Sequence, residues 1–164
     1  MAIVRTGIGV DTHRFARGRR LILGGVEVDH KVGLEGHSDA DVLCHAVMDA
    51  LLGAVADGDI GMHFPNTDPE WKDARSLDLL KAVADRLRRH GARVVNVDST
   101  VIAERPKIAP HADAMRRNMA RMLGINVDRV SVKATTAEKM GALGRAEGIA
   151  AMAVATVEQG EPGA

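Results

Sequence analysis

The chain carries the stretch Gly36-His37-Ser38-Asp39-Ala40-Asp41-Val42-Leu43-Cys44-His45, which leads into apolar residues at helical spacing. Ser38 is a good N-cap residue and Asp41 stands three positions later, as in a capping box, so the stretch predicts a helix over residues 39–56. An earlier stretch, Gly9-Val10-Asp11-Thr12-His13, closes an apolar run that predicts a β-strand over residues 3–10. The polar residues of both stretches are therefore expected on two rigid elements.

Asp11, His13 and His45 are candidate metal ligands. Side chains two positions apart on a strand project from one face, and His45 lies within the first turns of the predicted helix. One carboxylate and two imidazoles suit zinc, and three protein ligands leave a fourth position for substrate or water. Alternatively, Asp11 accepts turn hydrogen bonds and His13 is an exposed loop residue. Asp41, four residues before His45, either orients its imidazole or only completes the helix cap.

His37 and Ser38 form a candidate anion site. Both precede the predicted helix N-terminus, where free N–H groups and the helix dipole favour a phosphate oxygen. The alternative is an ordinary serine cap beside an exposed histidine.

A second candidate phosphate site follows a predicted strand. Thr135, Thr136 and Glu138 offer two hydroxyls and a carboxylate, which suit phosphate oxygens together with Mg²⁺. Thr-Thr-x-Glu is also typical of a helix cap. Lys107, directly after Pro106, is either a charge partner for a diphosphate or a solvated lysine.

Composition restricts the classes of partner. Lys plus Arg and Asp plus Glu are equal at 22 each, so bulk charge does not favour a nucleic acid, and any phosphate recognition must be local. Aromatic residues make up only 2%, which argues against a base-stacking single-strand binder and predicts an aliphatic core. The single cysteine, Cys44, excludes an intramolecular disulfide and is interpreted as a small apolar helix residue. No stretch resembles a signal peptide or a membrane span, and we expect a soluble, cytoplasmic protein.

The order of periodic segments predicts a single α+β domain over residues 1–159, with a mixed β-sheet, helices packed on one face and a disordered tail over residues 160–164. The other predicted strands are two extended pieces around a Gly-Gly turn (21–28), a strand over residues 94–103 and two more over residues 129–134 and 149–157. Two further helices are predicted: one is capped by Ser76 and closed by Gly91, and the other has Pro110 at its first position and Met115, Met119 and Met122 on one core stripe. The predicted loops are a polar one without regular helix (59–69) and the one between the last two strands (135–148).

Taken in chain order, these motifs resemble the family of 2-C-methyl-D-erythritol 2,4-cyclodiphosphate synthases. The resemblance is carried by Asp11-x-His13, Gly36-His37-Ser38-Asp39-x-Asp41-Val42-x-x-His45, Gly58-Asp59-Ile60-Gly61-x-x-Phe64-Pro65-x-Thr67-Asp68, Pro106-Lys107 and Lys133-Ala134-Thr135-Thr136-x-Glu138. It covers nearly the whole chain. It implies an enzyme of the non-mevalonate isoprenoid route that converts 4-diphosphocytidyl-2-C-methyl-D-erythritol 2-phosphate into the cyclic diphosphate and CMP, as a homotrimer with active sites at the subunit boundaries.

The resemblance also implies a role for each matching residue. Asp11, His13 and His45 would bind Zn²⁺, while Glu138 would bind Mg²⁺ or Mn²⁺ bridging the substrate diphosphate. His37 and Thr136 would stabilise the transition state. Further substrate contacts would come from Ser38, Asp59, Ile60, Gly61, Phe64, Pro65, Asn66, Thr67 and Asp68 around the methylerythritol phosphate, and from Ala103, Pro106, Lys107, Ile108, Ala109 and Thr135 around the cytidine diphosphate. Ala142 and Arg145 would lie near the trimer axis, where family members can bind an isoprenoid diphosphate.

The chain departs from the family pattern at two of these positions. Ala142 stands where many relatives carry an aromatic residue, which bears on the size of the axial cavity. Asn66 stands where Asp is common, which removes one charge near the substrate. Neither position is a predicted metal ligand, so we expect activity to be kept.

Two other functions remain open from the residues alone. A zinc-dependent phosphoesterase would use the same three ligands with a metal-bound water. A structural metal-binding or oligomeric binding protein would need a fourth protein ligand, for which His63 folding back is the sequence candidate.

Overall fold

Seven strands and five helices make up residues 1–160, the part of the chain that the computed structural model describes. The strands are β1 (Ala2–Ala16), β2 (Leu21–Leu23), β3 (Val26–Val28), β4 (Gly33–Leu34), β5 (Ala92–Ile102), β6 (Val130–Thr135) and β7 (Gly148–Gly160). The helices are α1 (Val42–Ala54), α2 (Ile60–His63), α3 (Ser76–Arg89), α4 (Ala112–Leu123) and α5 (Gly141–Gly144), with 3-10 turns at Pro69–Trp71, Ala109–His111 and Val127–Arg129. The α+β order predicted from the sequence is confirmed.

The main sheet has the strand order β4-β1-β7-β5-β6. It is mixed, as predicted, because β5 and β6 run parallel while the other neighbours are antiparallel. β1 continues through residue 16, so Asp11 and His13 lie inside the strand. The predicted Gly-Gly turn joins β2 and β3, and both glycines have the positive φ that favours this residue type.

Helix α1 lies directly against β1 because two glycines of the strand leave room for its backbone. A Cβ atom at Gly9 would lie 1.9 Å from the carbonyl oxygen of Ala46, and one at Gly7 would lie 2.1 Å from that of Ala50. The close approach places His45, one residue before Ala46, next to the side chains of β1. The glycines of β1 are thus what brings the predicted ligands of strand and helix into contact.

The predicted start of α1 is wrong. Asp41 is the N-cap: its carboxylate accepts hydrogen bonds from the backbone N–H of Cys44 and from those of Gly24 and Gly25 in the β2–β3 turn. Ala40 has φ +57, a left-handed conformation that prevents the helix from starting earlier. Ser38 is therefore free of the capping role and its hydroxyl turns to His45.

Three other expectations need correction. Ser76 is the first residue of α3 and Arg75 is its N-cap, because the Ser76 hydroxyl donates to Asp39 instead of capping the helix. Pro110 lies in the 3-10 turn before α4. The predicted polar loop contains the short helix α2, which ends before the first proline.

The core is aliphatic, as predicted. Cys44 is fully buried in α1, and Met115 and Met119 are fully buried in α4, while the three aromatic residues are only partly buried.

The last strand, β7, runs to Gly160, whose N–H donates to the Gly91 carbonyl, so Gly160 does not belong to the disordered tail predicted from residue 160. The rest of that predicted tail, residues 161–164, lies outside the described residues. Among the described helices none is long and apolar enough to cross a membrane.

The helices leave one face of the sheet uncovered. Alternate residues of β1 and β7 that point away from α1 expose between 42% and 67% of their surface, namely Val4, Ile8, Val10, Met152 and Val154. Ile8 pairs with Val154 and Val10 pairs with Met152 in the strand register, so these side chains form one contiguous apolar patch.

Candidate active site

The structure brings Asp11, His13 and His45 together, which confirms that part of the sequence prediction. Nε2 of His13 lies 2.9 Å from Oδ2 of Asp11, Nδ1 of His45 lies 3.0 Å from the same oxygen, and the two nitrogens are 3.3 Å apart. Tetrahedral zinc with bonds of about 2.0–2.1 Å holds its ligand atoms about 3.3 Å from one another. The donor set and its spacing therefore fit a divalent metal ion.

The three side chains also shift one another's protonation. Burial alone would raise the pKa of Asp11, but hydrogen bonds with His13 and then with His45 outweigh it and hold that pKa well below its usual range. Burial opposes protonation of His13, yet its hydrogen bond to Asp11 and the charge of that carboxylate raise the His13 pKa above 6.5. Asp11 is thus an anion at neutral pH and attracts either protons or a metal cation to the site.

Groups around the triad hold each imidazole. Nδ1 of His13 lies 2.5 Å from the carbonyl oxygen of Glu35, and Nε2 of His45 lies 3.1 Å from the hydroxyl of Ser76 and 3.2 Å from that of Ser38. The carboxylate of Asp41 accepts from the backbone N–H groups of Gly24, Gly25 and Cys44 and not from the imidazole of His45, so of its two predicted roles only the helix cap is confirmed.

His63 does not supply a fourth ligand. Its Nε2 lies 2.7 Å from the carbonyl oxygen of Asp57. Among the described residues, the metal-binding cluster has three members, all of which face a cavity.

That cavity of about 210 Å³ joins the triad to several predicted substrate residues. Six of these line it: His37, Ser38, Ile60, Gly61, Phe64 and Asn66. Met48, Trp71 and Leu79 also line it and were missed from the sequence. Trp71 contacts Phe64 edge to face with ring centroids 5.1 Å apart. It is the only tryptophan in a sequence with few aromatic residues, and this rarity is the signal that could have identified it as a site residue.

Residues 59–68 form one wall of this cavity and are tied to the rest of the site. Asp59 caps α2, and Asp49 of α1 accepts a hydrogen bond from the backbone N–H of Ile60 at 2.9 Å. The backbone oxygen of Asp68 lies 3.3 Å from Nε2 of His37. Pro65, Thr67 and Asp68 themselves stand beside the residues that line the cavity, not among them.

The predicted anion site at the start of α1 is not formed as expected. Because α1 begins at Val42, His37 lies five residues before it, and the buried carboxylate of Asp41 already occupies the helix N-terminus. Any anion near His37 and Ser38 must be bound by their side chains and by neighbouring loop groups.

The residues predicted to bind the cytidine diphosphate and the second cation lie elsewhere on the same chain. Ala103 follows β5 and Thr135 is the last residue of the parallel strand β6, and the Ala103 N–H donates to the Thr135 carbonyl at 3.0 Å. Glu104, which sequence reasoning missed, accepts hydrogen bonds at 3.1 Å from the N–H groups of Ala137 and Lys139 and so joins the two segments.

The remaining predicted residues of this set are exposed or open to a different cavity. Thr136 and Glu138 are exposed, with the Glu138 N–H donating to the Thr136 hydroxyl at 3.2 Å. Lys107 and Pro106 border a shallow hollow together with His30 and Lys31, while Ile108 is buried and Ala109 begins a 3-10 turn. β1 and β6 are three strands apart, about 14 Å, so one chain does not place these residues around the metal triad.

Ala142 and Arg145 lie on a third surface. Ala142 borders a hollow with Thr12, Arg14 and Phe15, on the side of β1 next to His13. Arg145 is exposed and its Nε donates to Glu147 at 2.7 Å.

Comparison with known proteins places this site in a family. The model of the YgbB family matches residues 4–158. A 2-C-methyl-D-erythritol 2,4-cyclodiphosphate synthase from Chlorobaculum tepidum is 59% identical over 155 residues, covering 94% of this chain and 99% of that protein.

Solved structures agree with the sequence relatives. The bifunctional IspDF of Campylobacter jejuni superposes with a TM-score of 0.93 at 41% identity over 98% of this chain and 43% of that one. A CDP complex of IspF from Plasmodium falciparum superposes with a TM-score of 0.83 at 31% identity over 95% of this chain and 96% of that one. The fold and nearly the whole length of the sequence agree, and the chain belongs to the YgbB family.

Proposed function

We propose that this chain is a phosphorus-oxygen lyase that converts 4-diphosphocytidyl-2-C-methyl-D-erythritol 2-phosphate into 2-C-methyl-D-erythritol 2,4-cyclodiphosphate and CMP. The observation that carries the proposal is the Asp11-His13-His45 cluster facing a cavity, on a chain 59% identical to a protein of that name. The reaction belongs to the non-mevalonate route to isoprenoids.

The chemistry needs no nucleophile from the protein. An oxygen of the substrate's own 2-phosphate attacks the β-phosphorus, a new P–O bond closes the ring, and the bond to CMP breaks with CMP taking the electron pair. The protein must hold the two phosphates in line and offset their negative charge. A divalent cation bound by Asp11, His13 and His45 supplies Lewis acidity at a phosphate oxygen.

The chain's own residues orient the substrate. Ser38 and the segment Asp59-Ile60-Gly61 bind the methylerythritol phosphate, because Ser38, Ile60 and Gly61 line the cavity beside the triad and Asp59 caps the helix that carries the other two. His37 donates to a phosphate oxygen, and Phe64 with Trp71 closes an apolar wall that excludes water.

Zn²⁺ is the proposed ion for the triad, since one carboxylate and two imidazoles at this spacing suit it. Glu138 is exposed, and its carboxylate would help to hold Mg²⁺ or Mn²⁺, which would offset the negative charge of the diphosphate. Thr136, two residues away, supplies a hydroxyl to the same phosphates.

The active site is proposed to be completed by a neighbouring copy in a homotrimer. The segments Ala103–Ala109 and Thr135–Glu138 bind the cytidine diphosphate. They stand at the ends of β5 and β6, which lie two and three strands from β1, or about 10 and 14 Å across the sheet from the triad of their own chain. The uncovered apolar patch on β1 and β7 supplies a surface on which copies associate. Arg145 and Ala142 then lie near the axis, where the small Ala142 leaves room for an isoprenoid diphosphate.

The test is ³¹P NMR of the zinc-loaded protein with 4-diphosphocytidyl-2-C-methyl-D-erythritol 2-phosphate and Mg²⁺. We expect CMP together with a new pair of coupled diphosphate resonances. Inorganic phosphate would instead identify a phosphoesterase, and an unchanged spectrum would contradict the proposal.

His45→Ala is the matched variant for this assay. It removes one of three metal ligands from a helix that packs through other residues, so turnover and metal binding should be abolished while the fold is largely kept. Near-normal turnover by His45→Ala would exclude the triad as the metal site.

A further inference from the structure

Behind His45 lies a buried group of hydrogen bonds that the proposed reaction does not use. Ser76 is fully buried at the start of α3, and its hydroxyl oxygen lies 3.1 Å from Nε2 of His45. The same hydroxyl makes a short hydrogen bond to Oδ1 of Asp39, and the Ser76 backbone N–H donates to Oδ2 of Asp39 at 3.0 Å. The Asp39 carboxylate also accepts from the N–H of Asp41 at 3.2 Å. Two hydrogen bonds thus hold the Asp39 carboxylate against Ser76, and a third, from the Asp41 N–H, fixes its position.

The positions of the hydrogens follow from this arrangement. A serine hydroxyl has one hydrogen, and Ser76 gives it to the carboxylate of Asp39, which can only accept. Toward His45 the Ser76 oxygen can therefore only accept as well. A neutral imidazole carries its hydrogen on one of its two nitrogens. Without a cation, the Asp11 carboxylate 3.0 Å from Nδ1 favours a hydrogen on that nitrogen. Once a cation takes the lone pair of Nδ1, the ring hydrogen must lie on Nε2, where the Ser76 oxygen can accept it at 3.1 Å.

We propose that Asp39 and Ser76 are positioning residues for His45. Their hydrogen bond keeps the Ser76 oxygen an acceptor for the Nε2 hydrogen of His45, which stabilises the form of the ring that binds a metal ion through Nδ1. The inference rests on the proposed metal site, because Nδ1 is the atom of His45 that faces Asp11 and His13. Ser38 does not select this form by itself, since its hydroxyl is able to donate or accept. With the ring hydrogen on Nε2, the oxygens of Ser76 and Ser38 share it at 3.1 and 3.2 Å.

The first test reads the tautomer in the unaltered protein. Two-dimensional ¹⁵N–¹H spectra of the zinc-loaded protein with ¹⁵N-labelled histidine distinguish a protonated ring nitrogen from a bare one. His45→Ala identifies the signal by its loss. We expect the hydrogen on Nε2 in the zinc-loaded protein, and a hydrogen on Nδ1 would overturn the proposal whether or not any variant folds.

The second test measures Co²⁺ affinity, with the visible spectrum of the bound ion as readout. Ser76→Ala and Asp39→Asn should each weaken binding by about 10–100-fold, the usual effect of removing a group that orients a metal-bound histidine. In both, the hydrogen is free to move to Nδ1 and toward the Asp11 carboxylate, where it competes with the ion.

Ser99→Ala is the matched control. Ser99 is also buried, and its hydroxyl donates to the Ser131 carbonyl at 2.8 Å, on strands that carry none of the three ligands. It should lower the melting temperature without changing Co²⁺ affinity. Parental Co²⁺ affinity in Ser76→Ala would overturn the positioning role of Asp39 and Ser76. Parental Co²⁺ affinity in His45→Ala would instead overturn the metal site itself.

Discussion

At the scale of single residues, the contact between Asp11 and His13 predicts how metal binding depends on pH, because it raises the pKa of His13. The raised His13 pKa means that the metal-free site holds a proton at pH values above the ordinary 6.5 of histidine. A metal ion binds only the neutral ring, so affinity is full above the raised pKa and falls as the pH is lowered through it. We expect the fall to begin on the neutral side of 6.5.

Co²⁺ titrations at a series of pH values check this expectation. His90→Gln serves as the control, because His90 is exposed near Asp57, away from the triad, and its loss should leave the pH profile unchanged. An affinity that stays constant until the pH is well below 6.5 would contradict a raised His13 pKa.

Some residues of the candidate site could be predicted from the sequence and others could not. Asp11 and His13 were recognisable because a strand places residues two apart on one face, which is a local rule. Ser76 and Asp39 could not be connected to His45 in the same way, since Ser76 is 31 residues from His45 and the sequence pattern predicted for it only the role of a helix cap. Glu104 is a similar case, because only the folded chain brings its carboxylate to the N–H groups of Ala137 and Lys139.

At the scale of elements, the contact between β1 and α1 sets the metal geometry. Gly9→Ala would put a methyl group 1.9 Å from the Ala46 carbonyl oxygen and 2.7 Å from the Ala50 nitrogen, both of which are helix backbone. Helix and strand would have to separate, which carries His45 away from Asp11 and His13. We expect a loss of about 1–3 kcal/mol in the free energy of unfolding, as for other overpacked cores, and weaker metal binding.

Gly53→Ala is the control for this prediction. Gly53 belongs to the same helix, but a Cβ there would meet its nearest atom, the Ile8 carbonyl oxygen, only at 3.9 Å. It should be neutral or stabilise the protein by up to about 1 kcal/mol, since alanine favours a helix more than glycine does. Chemical denaturation and Co²⁺ titration measure both effects, and a Gly9→Ala protein with parental stability and affinity would show that the close approach is unimportant.

Element types were predictable while the start of α1 was not. Periodicity identified the long helices α1, α3 and α4 and the strands β1, β5, β6 and β7 because each buries one face. The short elements β4, α2 and α5, of two to four residues, were not predicted. The start of α1 depends on the β2–β3 turn, whose two N–H groups draw Asp41 into the cap, and on the left-handed conformation of Ala40. Such contacts come from residues distant in sequence, so Ser38 remained the better cap by local rules.

At the scale of the whole molecule, one chain holds the site in two parts. The triad and its cavity lie at β1 and α1, whereas the segments joined by Glu104 lie at the ends of β5 and β6. The sequence could predict both groups of residues by their chemistry. It could not predict their separation within a chain, since that follows from the strand order β4-β1-β7-β5-β6.

The uncovered sheet face connects this separation to assembly. Ile8 and Val154 are paired neighbours that expose 63% and 43% of their surface, and burying them between copies would stabilise an oligomer through the hydrophobic effect. Ile8→Glu places a charge in the centre of this patch, where burial against another copy would leave it unpaired. We therefore expect the parent to have three times the mass of the 17.4 kDa chain and Ile8→Glu to be a monomer.

Light scattering coupled to size exclusion measures these masses, and Val127→Glu is the control. Val127 is a similarly exposed apolar residue, but it lies in the 3-10 turn before β6, outside the patch on β1 and β7, so its substitution should leave the mass unchanged. Because the proposed site needs both groups of residues, monomeric Ile8→Glu should bind Co²⁺ at the intact triad yet fail to release CMP. A monomer with parental turnover would show that one chain completes the site by itself.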